Sequence, residues 1–155
     1  MIKGRTWMKW RWMIVVGLLL ILSACSSDKP REISSNDVCK ACNMGVTDVK
    51  YAAQLVKDNG DQEVFDDIGC LMEYMMDIDS SEVSAAFVMD VSKKKWVNAE
   101  KATYVYAETN STPMNYGVIA FDSKKSAEKW VDEQEIGELL TYDDLHDFDW
   151  GVHNH

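Results

Sequence analysis

The sequence predicts an α+β fold made of two tandem ββαβ units packed into one small body. Three observations carry this expectation. A chain of 155 residues has room for one compact domain or two very small ones. Short runs with strand-like alternation interleave with two helical runs. Finally, Phe65-Asp66-Asp67 and Phe121-Asp122-Ser123 both follow a strand-like run and open a helical one, 56 residues apart. Neither unit could bury much core alone, so the two should pack together.

Residues 1–24 stand apart from that fold. Lys3, Arg5, Lys9 and Arg11 make a basic segment, and Met13–Leu22 is an apolar run too short for an ordinary transmembrane helix. The run ends in Leu22-Ser23-Ala24-Cys25, which resembles the lipobox of bacterial lipoproteins. The resemblance implies a signal peptide over 1–24, cleavage before Cys25 and a diacylglycerol on that cysteine; two acyl chains hold a protein stably on a membrane where one does not. Residues 25–36 are expected to be the lipidated N-terminus and a flexible polar tether, since Ser26–Asn36 has one proline and no apolar periodicity. The domain is expected over 37–145, with an acidic, histidine-containing tail over 146–155.

Within the domain, Tyr51–Val56 suits a strand, and Asp58-Asn59-Gly60 is a turn signal leading to a short strand at Glu63–Phe65. Asp66 or Asp67 can cap a helix running to about Ile78. Ile68, Leu71, Met72 and Met75 fall at i, i+3, i+4 and i+7, which marks the core face and leaves Cys70 roughly opposite it. Val83–Val91 alternates as a strand. The second half is expected to repeat the order with strands at Trp96–Asn98, Thr103–Glu108 and Gly117–Phe121. A helix then runs to about Glu133, with Ala127, Trp130 and Val131 apolar. From Gly137 onward the chain is acidic. His146, His153 and His155 could take Zn(II) or Cu(II) in principle, and a solvated tail is the simpler reading.

The formal net charge is −10. Without the four basic residues of 1–24, 12 Lys and Arg face 26 Asp and Glu, a net −14. That balance disfavours nucleic acid and anionic lipid headgroups as partners. Attachment to a membrane would come from the lipid.

Of the four cysteines, a lipidated Cys25 leaves Cys39, Cys42 and Cys70. Exported proteins usually carry an even number for disulfides, so three imply a free thiol, unless two chains join. Binding a soft metal would give such a thiol a reason. Cys39-Lys40-Ala41-Cys42-Asn43-Met44 offers thiolate and thioether sulfur, the donors that select Cu(I). If Cys42–Met44 runs extended, both sulfurs point to one face. Met114, in a loop between Pro113 and Asn115, has no periodic apolar face to serve and is either a further ligand or an exposed methionine. Cys39 is either a ligand or a disulfide partner of Cys42, and Cys70 is a further candidate ligand. Met72, Met75 and Met76 read as core filling.

CKACNMGV, YAAQLV, FDDIGCLMEYM, WVNAEKATYVYA and TPMNYGVIAF, in this order behind a lipobox, resemble the NosL family over nearly all of residues 38–131. The most specific pieces are Cys-x-Met at 42–44 and Thr-Pro-Met at 112–114. The resemblance implies two homologous ββαβ units similar to part of the organomercurial lyase fold. It also implies Cu(I) on cysteine and methionine sulfur, and a role as copper chaperone for nitrous oxide reductase, fed by a copper exporter or donor. Many members read Cys-Gly-Met where this chain has Cys42-Asn43-Met44. Members from Gram-negative bacteria often have only the cysteine matching Cys42, so Cys39 and Cys70 do not carry over as general family ligands. The chain is more similar to the Gram-positive branch, which implies the extracytoplasmic face of a cell membrane.

Other classes fit less well. A thiol–disulfide oxidoreductase would use Cys39 and Cys42, but such motifs usually open a helix in a βαβ setting, and here a tether and a strand flank it. A zinc site would need a fourth hard or borderline ligand, and the histidines lie at the far end of the sequence. A structural lipoprotein leaves the three sulfur-rich spots unexplained. No nucleophile–base pair or paired acids suggest hydrolysis, and no enzyme is expected.

Overall fold

The computed structural model describes residues 29–151. The lipobox with Cys25, the signal peptide, His153 and His155 lie outside the described residues. Strands β1 (Ala53–Lys57) and β2 (Gln62–Phe65) form a hairpin, followed by helix α1 (Ile68–Asp77), β3 (Val83–Met89) and β4 (Trp96–Asn98). Then come β5 (Thr103–Tyr106), β6 (Val118–Phe121), α2 (Lys124–Gln134), β7 (Glu138–Leu140) and the short helix α3 (Tyr142–His146). The first sheet has the order β2-β1-β3-β4 and the second β6-β5-β7. Each is antiparallel. In both, the first strand of the unit is central, its hairpin partner lies on one side, and the strand after the helix returns on the other. The tandem ββαβ expectation therefore holds.

The recurrence extends through the helices. Phe65 pairs with Ala53 as Phe121 pairs with Thr103. The caps Asp67 and Ser123 accept backbone N–H groups of the first turn, which would otherwise lack partners. An aromatic ring two turns on packs against each phenylalanine: Tyr74 on Phe65 at 5.3 Å between centroids, Trp130 on Phe121 at 6.1 Å.

Three sequence expectations need correction here. Trp96–Asn98 pairs with β3 and completes the first sheet, so the second unit begins at Thr103. The closing strand of the second unit is β7, inside the acidic run from Gly137. The chain beyond it is not a solvated tail as far as Trp150. That indole is buried, donates from Nε1 to the Leu145 carbonyl at 2.9 Å, and meets Tyr116 edge-on; His146 is exposed.

The two sheets share one core. Leu55, Phe65, Leu71 and Val88 of the first unit pack with Tyr104, Val118, Ala120 and Leu145 of the second. A fully buried side chain of this size contributes about 1.5–3 kcal/mol. The other face of the second sheet, Val105, Ile119 and Phe121, is covered by Ala127 of α2. Helix α1 thus lies in the shared core and touches β6 as well as β1 and β2, whereas α2 packs only on its own unit's strands among the principal contacts. The same placement buries Cys70, which the sequence puts off the apolar stripe and facing the cysteine motif. The residue is 1% exposed because the first turn of α1 is enclosed on several sides. At Gly69 even a β-carbon would collide with the Tyr116 ring. Met72 is buried and Met75 half-buried, but Met76 is 52% exposed and is not core.

A bridge joins the sheets where β3 ends. Asp90 pairs with Ala120, and its buried carboxylate accepts from Asp122 N, Ser92 N, Ser92 Oγ and Lys93 N. Lys93 and Lys95 reach back to Asp122 at 2.6 and 2.7 Å.

Upstream of the domain, the segment expected to be flexible tether is held from residue 29. Gln54 accepts from Arg31 N and donates to Arg31 O, and Gln62 donates to Lys29 O. Arg31 forms a two-point pair with Asp37.

Candidate metal centre

Cys39 and Cys42 sit in a tight loop laid against the edge of the first sheet. β2 is the edge strand, so its outward carbonyls are free, and Lys40 N–H donates to Val64 O at 2.8 Å. Lys40 Nζ adds an ion pair to Glu63 at 3.4 Å. The loop closes on itself: Asn43 N–H donates to Cys39 O, Cys39 N–H to Met44 O, and Val38 bridges Gly45. Reversing the chain here requires a left-handed residue, and Asn43 supplies it with φ 60°. Asparagine tolerates that conformation better than most side chains, which is how this chain manages the position without glycine. The expected extended Cys42–Met44 is therefore wrong; the segment is a turn.

The turn brings Cys39 and Cys42 to the start of α1, where Cys70 points at them. The Sγ atoms of Cys39, Cys42 and Cys70 and a carboxylate oxygen of Asp66 all lie within 4.8 Å of one another. Cys39 and Cys70 are buried, Cys42 is half-buried, and Asp66 is 2% exposed. All three cysteines are free thiols. The Cys42 thiol donates to Asp66 Oδ1 at 3.5 Å.

Asp66 is the member that sequence reasoning missed. It was expected, with Asp67, as a helix cap, but the cap is Asp67, which accepts from Gly69 N at 3.1 Å. A signal was present: Asp66 and Cys70 are four residues apart, the spacing that stacks side chains on one helix face.

Electrostatics divide the thiols. A hydrogen bond from Cys70 lowers the pKa of Cys39, favouring its thiolate. The same bond, with burial, holds Cys70 protonated far above the usual thiol range. Burial raises Cys42. Of the three thiols, Cys39 is the one pushed toward its thiolate.

The methionines stand differently. Met44 is 45% exposed, beside the cysteine turn. Met114 is partly buried against the same core cluster as Cys42, and its N–H donates to Asp67 Oδ2 at 3.0 Å. Its loop, between β5 and β6, also carries Tyr116, which roofs Gly69. A cleft of about 580 Å³ opens alongside, lined by Lys40 and Ala41 of the turn and by Tyr74, Met76, Phe148 and Trp150. Three thiols and a carboxylate converging in this way fit a thiophilic metal ion.

Comparison with known proteins agrees with this architecture. No curated protein matches the chain. The crystal structure of the copper chaperone NosL from Shewanella denitrificans matches with a TM-score of 0.66 and 23% identity, over 74% of this chain and 93% of that one. At that identity the likeness is one of fold. The family model for NosL matches residues 30–148, nearly the whole described body. The chain therefore belongs to the NosL family.

Proposed function

We propose that this protein is a Cu(I) metallochaperone, anchored through a lipid on Cys25 to the extracytoplasmic face of a cell membrane. It takes Cu(I) from an exporter or donor and passes it on during maturation of nitrous oxide reductase. The observation that carries this reading is the convergence of three cysteine sulfurs, two buried and one half-open. Soft donors in this number suit Cu(I), and the half-open Cys42 gives a partner's ligand a place to attack. Met44 at the surface and Met114 at the adjoining loop can add thioether sulfur during transfer. The similar structure from Shewanella denitrificans is described as a copper chaperone, which supports the same cargo.

Transfer by ligand exchange needs a site that is tight and yet unfinished. Cys39 and Cys70 hold the ion from below, while the cleft beside Lys40 and Ala41 leaves room for an acceptor. Binding must displace the protons held on Cys42 and Cys70, so affinity falls as pH drops, whereas thioether donation does not titrate.

The test is Cu(I) titration of the reduced full chain, in detergent and without oxygen, against a chromophoric cuprous chelator. One ion per chain is expected. Cys42→Ser should abolish tight binding, and Met44→Leu or Met114→Leu should weaken it with the fold intact. Full affinity in Cys42→Ser would overturn the proposal, and a reversible Cys39–Cys42 disulfide without copper uptake would favour an oxidoreductase. For the anchor, Cys25→Ser should release the protein from membranes or leave an uncleaved precursor; unchanged mass and membrane retention would refute lipidation.

A further inference from the structure

The cleft beside the cysteine turn joins an apolar wall to an acidic border. About 580 Å³ of space opens between the end of α1 and the chain that follows α3. Trp150 is buried and Phe148 half-buried in its wall, with ring centroids 4.6 Å apart. Met76 adds a flexible thioether side chain, 52% exposed, of the kind that adapts to a partner's surface. Four carboxylates border the same space: Glu73 and Asp77 from α1, and Asp147 and Asp149 on either side of Phe148 in sequence. Among the described residues, none of the four is in an ion pair. Lys40 is the one lysine or arginine at the cleft, and Glu63 already takes it at 3.4 Å. The contrast with α2 is internal to the fold, since there Glu128 and Glu133 pair with Lys124 and Lys129. The backbone sharpens the imbalance. Helix α1 ends in Asp77 with no basic residue in its last turn, so the partial negative charge of its carbonyl end is unopposed. Stability alone would favour lysine or arginine at that end.

We propose that this cleft is the docking site for a cationic segment of the protein that exchanges copper with this one, a segment carrying arginine or lysine next to an apolar side chain. A guanidinium suits the Asp147-Phe148-Asp149 run because it can lie against an aromatic ring while its N–H groups meet carboxylates. The neighbouring apolar side chain packs on Met76. A second copy of this chain fits poorly, because its acidic surface would meet this acidic border with like charge. Lys40 and Ala41 line the cleft and Cys42 follows them directly, so a seated segment lies beside the half-open thiol. The identity of the partner rests on the copper-chaperone reading, whereas the preference of the cleft for a cationic segment does not.

The experiment uses the reduced, metal-free full chain in nonionic detergent, with a fluorescent peptide of alternating arginine and leucine as the probe. Binding is read by anisotropy, beside a peptide in which citrulline, the uncharged analogue, replaces arginine. Saturable binding of the arginine peptide is expected, with the citrulline peptide weaker by at least about tenfold. Phe148→Ala, and Asp147→Asn with Asp149→Asn, should each weaken the arginine peptide by about tenfold. Asp132→Asn with Glu135→Gln removes the same charge at the α2 end, outside the cleft, and should change affinity by less than about twofold. Equal losses from the two double variants would reduce the binding to attraction by total charge and overturn the proposal. So would the absence of saturable binding, or a dimer of the chain in sedimentation that Phe148→Ala dissolves. If Phe148→Ala does not fold, the two double variants decide, since all four of their residues are exposed. Peptide binding without Cu(I) uptake refutes only the chaperone reading; Cu(I) uptake with no cleft-dependent peptide binding refutes only this one.

Discussion

The two ββαβ units are near copies in topology and opposites in chemistry. Each runs strand, phenylalanine, aspartate, cap, helix, and in each the residue four after the aspartate faces back toward it. In the first unit that residue is Cys70, within reach of Asp66 and two more sulfurs. In the second it is Ser126, whose Oγ donates to Asp122 Oδ1 at 3.2 Å, with Lys93 and Lys95 completing the cluster. One geometry thus serves a metal-competent pocket in one copy and a polar rivet between sheets in the other. The difference lies in what covers each helix start. The cysteine turn and the Met114–Tyr116 loop enclose the beginning of α1, whereas α2 lies on the outer face of its sheet with its first turn mostly in water.

The comparison can be broken at its centre. Cys70→Ser makes the first helix start resemble the second, and Cu(I) affinity should fall by roughly 10–100-fold or more in chelator competition. The reciprocal Ser126→Cys should leave the stoichiometry at one ion per chain, since no cysteine turn covers it. Packing gives the next effect. Gly69→Ala should destabilise by about 1–3 kcal/mol in urea denaturation, because its methyl meets the Tyr116 ring. Lys125→Ala, at the matching exposed position, should stay within about 0.5 kcal/mol. The caps come third. Ser123→Ala and Asp67→Ala should each cost about 1 kcal/mol, and only Asp67→Ala should also speed hydrogen exchange at Met114 N–H, which it holds.

The smallest effect is one of pH. Hydrogen bonds from Lys93 and Lys95 hold the Asp122 carboxyl well below the usual carboxylate range. Its contribution is complete above the ordinary carboxylate pKa and is lost as pH falls through the depressed value. Asp122→Asn should therefore be less stable than wild type near neutrality, and the gap should close as pH falls through the depressed pKa, so that its stability curve is flatter at the acid end. A variant that parallels wild type throughout would show that the rivet carries no charge-dependent stability.

The sequence made the repeat legible because Phe-Asp-cap is a local signal, repeated before each helix. It did not make the unit boundary legible. Trp96–Asn98 is a strand in either unit, and only pairing with β3 assigns it. β7 was hidden for a related reason: its three residues, at a poorly shielded edge, carry little apolar pattern. At the site, the three cysteines were legible as soft donors, while Asp66 passed for a cap. Cys70 was legible as lying off the apolar stripe and facing the cysteine motif, but not as buried, because the first turn of α1 is enclosed by loops remote in sequence. The Cys42–Met44 geometry failed on Asn43, whose left-handed backbone follows from the closure of the loop as a whole.

The clasp of Gln54 and Gln62 on residues 29–31 fixes a length. With the proposed lipid on Cys25, four residue steps separate the bilayer from Lys29, a leash of at most about 14 Å when fully drawn out. A twelve-residue tether could reach about 40 Å. On that proposal the short leash would confine the domain to a thin shell over the lipid, yet it exceeds the screening distance of about 8 Å at physiological salt. A domain this acidic, if so anchored, would stand off beyond most of the repulsion from an anionic bilayer and still remain within reach of the proposed membrane-bound partners.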